Sequence, residues 1–433
     1  MYYFLYFLLI FSSCFSDLFL GSLFGEFFRA PGGVFAILVF LILLVRKVKL
    51  DERSKPLIQA SMCFFVLIGF DMLVNSIMFS PFYMIGDEVL IIKEFKGFIY
   101  FFSIFAYVFD LVWLGKRFDN KKRSFPFVFS FFFNFLILIV ELANKDFINA
   151  LHIDQEYYRI RLLTPEASTT TPLILTEGVV SFYYFTKVEK RKIGFIALLA
   201  ALLVFFITSS SKSLYICFLL FLLLFMFMAK GIKLFSKLIV LGFLILFCVT
   251  FLPYLINLSE DDISIFTSVA TRLYTSICAF ILMLMMPFGC GNGGSVILLK
   301  NTMANNLGWY SNLFPKFNLF EINFIINTYG SSAVTAKSGI GQFVLLYGLI
   351  GFVIACYVIC FCYKKAKKNP YTIMMLSVFI VLSIFFELYN GYALYSLFGF
   401  MVLQMSYGKK ESCYKKMASK SFKYSIYQIK GAN

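Results

Sequence analysis

The chain has 433 residues, of which 61% are hydrophobic and only 14% charged, with 59 Phe and a mean hydropathy of +0.85. Soluble domains sit near about 45–50% apolar, so composition excludes a soluble protein and puts most of the chain in lipid. The net charge of +16 is spread over short connections, and no soluble basic domain is present to bind nucleic acid.

A spanning helix needs about 20 mostly apolar residues. By that measure spans are predicted near 2–20, 31–46, 57–80, 97–115, 125–142, 171–187, 193–208, 214–229, 236–257, 338–362, 371–388 and 392–407. The first lacks the small-residue cleavage site of a signal peptide and holds Asp17, so it reads as retained. The fold class expected is all-α: a polytopic membrane protein with about 12 transmembrane helices. Its parts are five spans over 1–142, an outer connection over 143–170 and four spans over 171–256. A large, partly helical outer segment over 257–337, three spans over 338–407 and a basic tail over 408–433 complete it.

The connections then sort by charge. Arg46–Lys55, Lys116–Arg123, Lys187–Lys192, Lys230–Lys237, Lys364–Lys368 and the tail after Tyr407 hold 28 of the 39 Lys and Arg, against 5 acids. Basic connections stay in the cytoplasm, which places both termini there. The same charges attract anionic membrane lipids.

Two outer connections are long. Ala143–Thr170 has 28 residues and Asn257–Lys337 has 81. A structureless loop of the second length is improbable. Within it, Ser259-Glu260-Asp261-Asp262 has the form of a helix start. Arg272 and the apolar run Leu273–Met286 follow, then a Gly-rich stop, Pro287–Gly294. The apolar run is too short to cross and is expected to lie in, or dip into, the outer leaflet. Gly289, Gly291 and Asn292 in the stop allow either close backbone approach to a ligand or a plain turn. The stretch from Trp309-Tyr310 to Tyr329 is aromatic and amphipathic, as expected of a cover over a cavity at the membrane surface.

Basic residues on the outer side need a reason to be there. Arg159 and Arg161 precede Glu166, Lys212 closes the serine run Ser209-Ser210-Ser211 after span 7, and Arg272 lies in the large segment. Guanidinium groups match diphosphate oxygens bidentately, and a lipid-linked diphosphate would sit at this depth. Contact with lipid phosphates or pairing with nearby acids also fits each one singly. Asp17, Asp71, Glu177 and Glu387 fall in the outer halves of their spans, where they either pair structurally or hold sugar hydroxyls or ions. Asp110 is expected to reach the opposite interface. Of the ten Cys, none has zinc-ligand spacing, and the one His, His152, rules out an all-His metal site within one chain.

The stretch Arg159-x-Arg161-Leu162-Leu163-x-x-Glu166-x-Ser168 resembles the outer loop of O-antigen polymerases of the Wzy type. Ser-Ser-Ser-Lys212-Ser resembles the close of that family's following span. The order Arg272, apolar helix, Pro287, Gly289-x-Gly291 is similar to the large periplasmic loop of these polymerases and of the related O-antigen ligases. Lys337-Ser338 and Tyr347-Gly348-Leu349-Ile350-Gly351 look like the return into the membrane. The resemblance covers roughly residues 155–355.

It implies a GT-C-like glycosyltransferase of the bacterial inner membrane, active on the periplasmic face in lipopolysaccharide or capsule-like polysaccharide synthesis. Oligosaccharide repeat units on undecaprenyl diphosphate are joined, with undecaprenyl diphosphate leaving and neither metal nor cofactor needed. Arg159, Arg161, Lys212, Arg272 and Lys337 are the expected diphosphate ligands. Glu166 is the first choice as base, with His152 or Asp154 behind it. Glu177, Gly289, Gly291, Asn292, Trp309 and Tyr310 are expected on the glycan. A chain-length regulator and a flippase are the partners such an enzyme would have. Ligases of this kind carry a functional His in the large loop; Asn257–Lys337 has none, which favours polymerase over ligase. Flippase and transporter remain the readings from another class.

Sidedness is directly testable. Alkaline phosphatase folds only in an oxidising compartment. Fused after residue 433 it is expected to be inactive, and inserted at 315–319 active; the reverse pattern contradicts the assigned orientation.

Overall fold

The computed structural model describes residues 1–24, 26–46, 55–85, 88–153, 159–208, 212–228, 242, 268–327, 334–367, 369–386 and 391–405. Expectations that fall elsewhere, among them the span at 236–257, the acidic start at Ser259–Asp262, Asp154, Glu387 and the basic tail, lie outside the described residues.

The chain is almost wholly helical. Its first helices are α1 (Tyr2–Phe11), α2 (Leu20–Phe24), α3 (Pro31–Val45) and α4 (Lys55–Phe79), and a two-residue hairpin, β1 (Met84–Ile85) with β2 (Glu88–Val89), follows. Next come α5 (Leu90–Gly115), α6 (Asn120–Ala143), α7 (Lys145–Asn149), α8 (Thr170–Tyr183), α9 (Lys192–Thr208) and α10 (Lys212–Met228). The large segment expected on the outer side contributes α11 (Ser268–Met285), α12 (Gly294–Leu313) and α13 (Phe320–Asn327). The last three are α14 (Gly339–Ala366), α15 (Pro370–Phe385) and α16 (Tyr392–Met405). Four helices, in α4, α5, α6 and α14, are long and apolar enough to cross a membrane. Among the described residues, shorter apolar helices of 10–17 residues lie at Tyr2–Cys14, Pro31–Val45, Lys192–Thr208, Ser213–Met228, Ala270–Met285, Pro370–Phe385 and Tyr392–Met405.

Helix α1 ends well before the expected end of the first span. The Ser12 and Ser13 hydroxyls turn back onto the Leu9 and Ile10 carbonyls, each at 2.7 Å, and Phe15 is extended. Asp17 therefore sits in the turn after α1 and not in a helix.

The basic connections gather at one end. Arg46 bonds the Tyr2 hydroxyl at 2.8 Å, and Arg117 stacks over the rings of Tyr2 and Trp113. Lys121 pairs with Glu189, and that hydrogen bond holds the Glu189 carboxyl below its usual range. Arg123 is fully buried and donates to the Gly115 carbonyl at 2.6 Å, closing the C-terminus of α5. Asp110, expected at this interface, is instead fully buried, and neither carboxylate oxygen meets a hydrogen-bond partner among the described residues.

Three larger apolar clusters hold the helices. One is built from α1, α3, α5, α8, α10, α15 and α16. A second joins α6, α8 and α9. The third belongs to the large segment: Tyr274, Cys278 and Leu282 of α11 pack with Leu299 and Met303 of α12, Ile322 and Ile325 of α13, and Leu345 of α14. The apolar run Leu273–Met286 thus serves as an inner helix of this unit as well as an apolar segment. Cys278 and Cys290 both lie in it as free thiols.

Helix α14 is broken at Gly348, which has φ 61° and ψ −161°. Two carbonyls before the break, Leu345 and Leu346, accept from Cys290 N (2.9 Å) and Gly291 N (3.3 Å), while Ile350 N donates to the Pro287 carbonyl at 3.0 Å. An unpaired backbone group in an apolar interior costs several kcal/mol, so the Pro287–Gly291 turn is what permits the break. Gly289 (φ 115°) and Gly348 stand backbone to backbone; a Cβ on Gly289 would meet the Leu346 carbonyl, and one on Gly348 the Pro287 carbonyl. Gly289→Ala and Gly348→Ala are expected to destabilise the protein by about 2 kcal/mol or more. Gly308→Ala, on an open face of α12, should be neutral or stabilising by up to about 1 kcal/mol. Thermal unfolding in detergent reads the difference.

Candidate functional site

At the end away from the basic connections, helix starts meet in two pairs, α8 with α10 and α11 with α14. Ser213, at the start of α10, bonds Thr171 of α8 at 3.0 Å and lies 3.5 Å from the Ser168 carbonyl. Arg272, on the second turn of α11, is close enough to Cys217 of α10 to act on it electrostatically. Lys337 N donates to Thr275 Oγ1 at 3.2 Å, and the Ser276 and Ser338 hydroxyls meet at 2.6 Å, which sets the start of α14 beside α11. Each helix N-terminus carries roughly half a positive charge. Arg272 and Lys337 add two full charges, and among the described residues neither side chain is in an ion pair. The chemistry this arrangement offers is anion binding. The backbone of Lys212 begins α10 at the same place.

Arg161 is turned inward. It is fully buried, and its guanidinium donates to Asn149 Oδ1 at 3.1 Å and the Pro165 carbonyl at 3.4 Å. The Glu141 carboxylate takes the backbone N–H groups of Arg161 (3.0 Å) and Leu162 (2.9 Å). Leu162 has φ 54°, a left-handed conformation rare for a branched residue, and these bonds hold it there. Its carbonyl faces His152 Nε2 at 2.8 Å, and His152 Nδ1 faces Asp17 Oδ2 at 2.9 Å. Arg29 binds the other oxygen of Asp17 at 2.6 Å. Both ring nitrogens of His152 are engaged inside the fold, so the side chain is part of the scaffold. The Ser16 and Asp17 N–H groups close the loop onto the Leu163 carbonyl at 3.1 and 3.2 Å. The two arginines of Arg159-x-Arg161 therefore differ: Arg161 is a scaffold group, and Arg159 stays half-buried at the loop's start.

Glu166 is exposed. It caps the short 3-10 turn Ala167–Thr169, with its carboxylate accepting from the Ser168 hydroxyl at 3.2 Å. Through Ser168 it adjoins Ser213, so of the acids considered as base it is the one beside the convergent helix starts.

The Gly-rich turn holds an anion, but the anion is the chain's own. Glu94 of α5 accepts from Asn292 N (3.0 Å), Gly293 N (2.8 Å) and Gly294 N (3.2 Å), at the N-terminus of α12. Asn75 bridges Glu94 (2.7 Å) and the Cys290 carbonyl (2.8 Å), and the Asn292 side chain donates to the Lys93 carbonyl at 2.6 Å. The expected glycan contacts at Gly289, Gly291 and Asn292 are thereby used within the fold. Glu177 is buried on Asn134 (2.8 Å) and Cys14 (3.4 Å). Tyr310 is buried too, stacked on Tyr274 and bonded to the Ala270 carbonyl at 3.0 Å. Trp309, 54% exposed, is the member of the glycan set that projects outward.

Sequence reasoning missed Glu94, Asn75, Glu141 and Arg29. One signal was available: Asp71 and Asn75 lie four apart, on one face of α4. The others are joined to partners too distant in the chain for local spacing to reveal.

A large apolar cleft of ≈ 390 Å³ runs between α4, α5, α14, α15 and α16. Its wall includes Lys116 and Trp113 at the basic end and Ile340 and Ser383 near the start of α14.

Breaking the buried Arg29–Asp17–His152 cluster leaves an uncompensated charge, a loss of about 3–5 kcal/mol. Asp17→Asn and His152→Ala are expected to lower expression and thermal stability together, whereas Glu166→Gln should leave stability within about 1 kcal/mol of wild type. Equal stability of all three would contradict the scaffold role.

A scan against protein-family models finds no match, and a search of curated proteins finds none either.

Proposed function

We propose that the protein is a membrane glycosyltransferase that polymerises oligosaccharide repeat units carried on undecaprenyl diphosphate, at the periplasmic face of the bacterial inner membrane. The observation that carries this is the two pairs of helix starts, α8 with α10 and α11 with α14, with Arg272 and Lys337 on the second pair and Arg272 within electrostatic reach of Cys217 on the first. Such a site suits a diphosphate, whose oxygens need several positive groups at once. Beside it the apolar cleft gives an isoprenoid tail a place to lie, since Ile340 in its wall is three residues from Lys337. The motif order from Arg159 to Gly351 supports the same reading.

In this mechanism Arg272, Lys337, Arg159 and Lys212 stabilise the departing diphosphate, where negative charge develops. Glu166 stands ready to accept the proton of the attacking sugar hydroxyl. Arg161 holds the loop that carries both Arg159 and Glu166, so its loss acts through position. The bond formed joins the growing glycan's anomeric carbon to the acceptor sugar, and the bond broken is the one to undecaprenyl diphosphate.

A transport reading has one observation in its favour: α14 is broken at Gly348 beside a buried acid, Asp71, a feature common at ion and substrate sites of transporters.

Deleting the gene from its host is expected to collapse the surface polysaccharide ladder to a single repeat unit on the lipid core. Loss of all attached units with lipid-linked polymer accumulating would mean ligase, and single units trapped on the cytoplasmic face would mean flippase. In complementation, Arg272→Ala with Lys337→Ala should cut polymer by at least about tenfold at normal membrane abundance, as for loss of preplaced charge at a developing anion. An unchanged ladder with the double variant would overturn the assignment.

A further inference from the structure

We propose that Asp71 and the break in α14 form a binding site for a small monovalent cation, a proton or Na⁺. Asp71 lies on α4 and is 3% exposed. Its Oδ2 is buried and meets no hydrogen-bond partner among the described residues. The side chain lines a cavity of ≈ 10 Å³ with Gly97, Gly291, Asn292, Leu346 and Tyr347. That space suits one ion or one water.

The ionisable groups facing Asp71 are Glu94 from α5, Tyr347 from α14 and Cys290 from the Gly-rich turn. None is cationic. Glu94 is already satisfied by three backbone N–H groups and Asn75, which leaves Asp71 as the group whose charge is unmatched. A carboxylate buried without a partner, beside a second carboxylate, retains its place only by taking up a positive species. The Leu346 carbonyl, released by the break from its usual helical partner, accepts from Gly291 N at 3.3 Å, and Leu346 and Gly291 both line the cavity. Occupancy is thus linked to the geometry of the break, because Leu346 and Tyr347 are the two residues before Gly348.

The site goes beyond the proposed glycosyl transfer and does not depend on it. Full-length protein in lipid nanodiscs is titrated with NaCl against choline chloride at fixed ionic strength, from acid to alkaline pH, and thermal unfolding is followed. The wild type is expected to gain at least about 2–4 °C in Tm on saturation. A response to Na⁺ at fixed pH identifies the ion as sodium; a response to acid with none to Na⁺ identifies a proton. Asp71→Asn should flatten both curves. Should that variant fail to fold, carbodiimide labelling of the wild type reads the same site: Asp71 is expected to react at acid pH and to be protected by Na⁺ or by alkali. A wild type indifferent to both ions, an Asp71→Asn protein that still responds, or Asp71 either unreactive at acid pH or labelled regardless of both ions overturns the site.

Discussion

The structure depends on the exchange of backbone hydrogen bonds between the Gly348 break and the Pro287–Gly291 turn. A helix inside an apolar bundle can be interrupted only if its freed carbonyls and N–H groups find partners, because no water is there to supply them. Here the turn after α11 provides them, through Cys290 N, Gly291 N and the Pro287 carbonyl. Glu94 then fixes the turn by taking three N–H groups at the start of α12. The large segment and α14 are thereby joined, and α11 is held against the start of α14 by the Thr275–Lys337 and Ser276–Ser338 bonds.

The same economy governs the other outer loop. Glu141 takes two backbone donors of the Arg159–Ser168 loop, His152 takes one carbonyl, and Asp17 with Arg29 holds His152. Charged groups that look available for a ligand in the sequence are used to fix a strained, irregular backbone. Among the described residues, Arg272 and Lys337 take part in no such ion pair, and both lie near helix starts.

The helices were legible in the sequence because composition dictates them: α3, α4, α6, α9, α10 and α15 begin and end within a few residues of the expected spans. The first span was not, since Ser12 and Ser13 end α1 by local hydroxyl bonds that hydropathy does not register. The Gly-rich turn was legible as a close-approach point, but the approaching group is Glu94, some two hundred positions away. Asp110 was misplaced because a residue near a helix end was assumed to reach water. Arg161 and Glu177 were read as ligand groups from type and position; burial, which depends on packing between helices, gave them to the scaffold.

The central claim is that the convergent helix starts hold an isoprenoid diphosphate. Native mass spectrometry of the purified protein with undecaprenyl diphosphate, undecaprenyl phosphate and a zwitterionic phospholipid in competition tests it most directly. The account predicts a one-to-one adduct with the diphosphate that survives activation longest and is lost in the Arg272→Ala, Lys337→Ala double variant. Equal retention of all three lipids, or a diphosphate adduct unchanged in that variant, would contradict it.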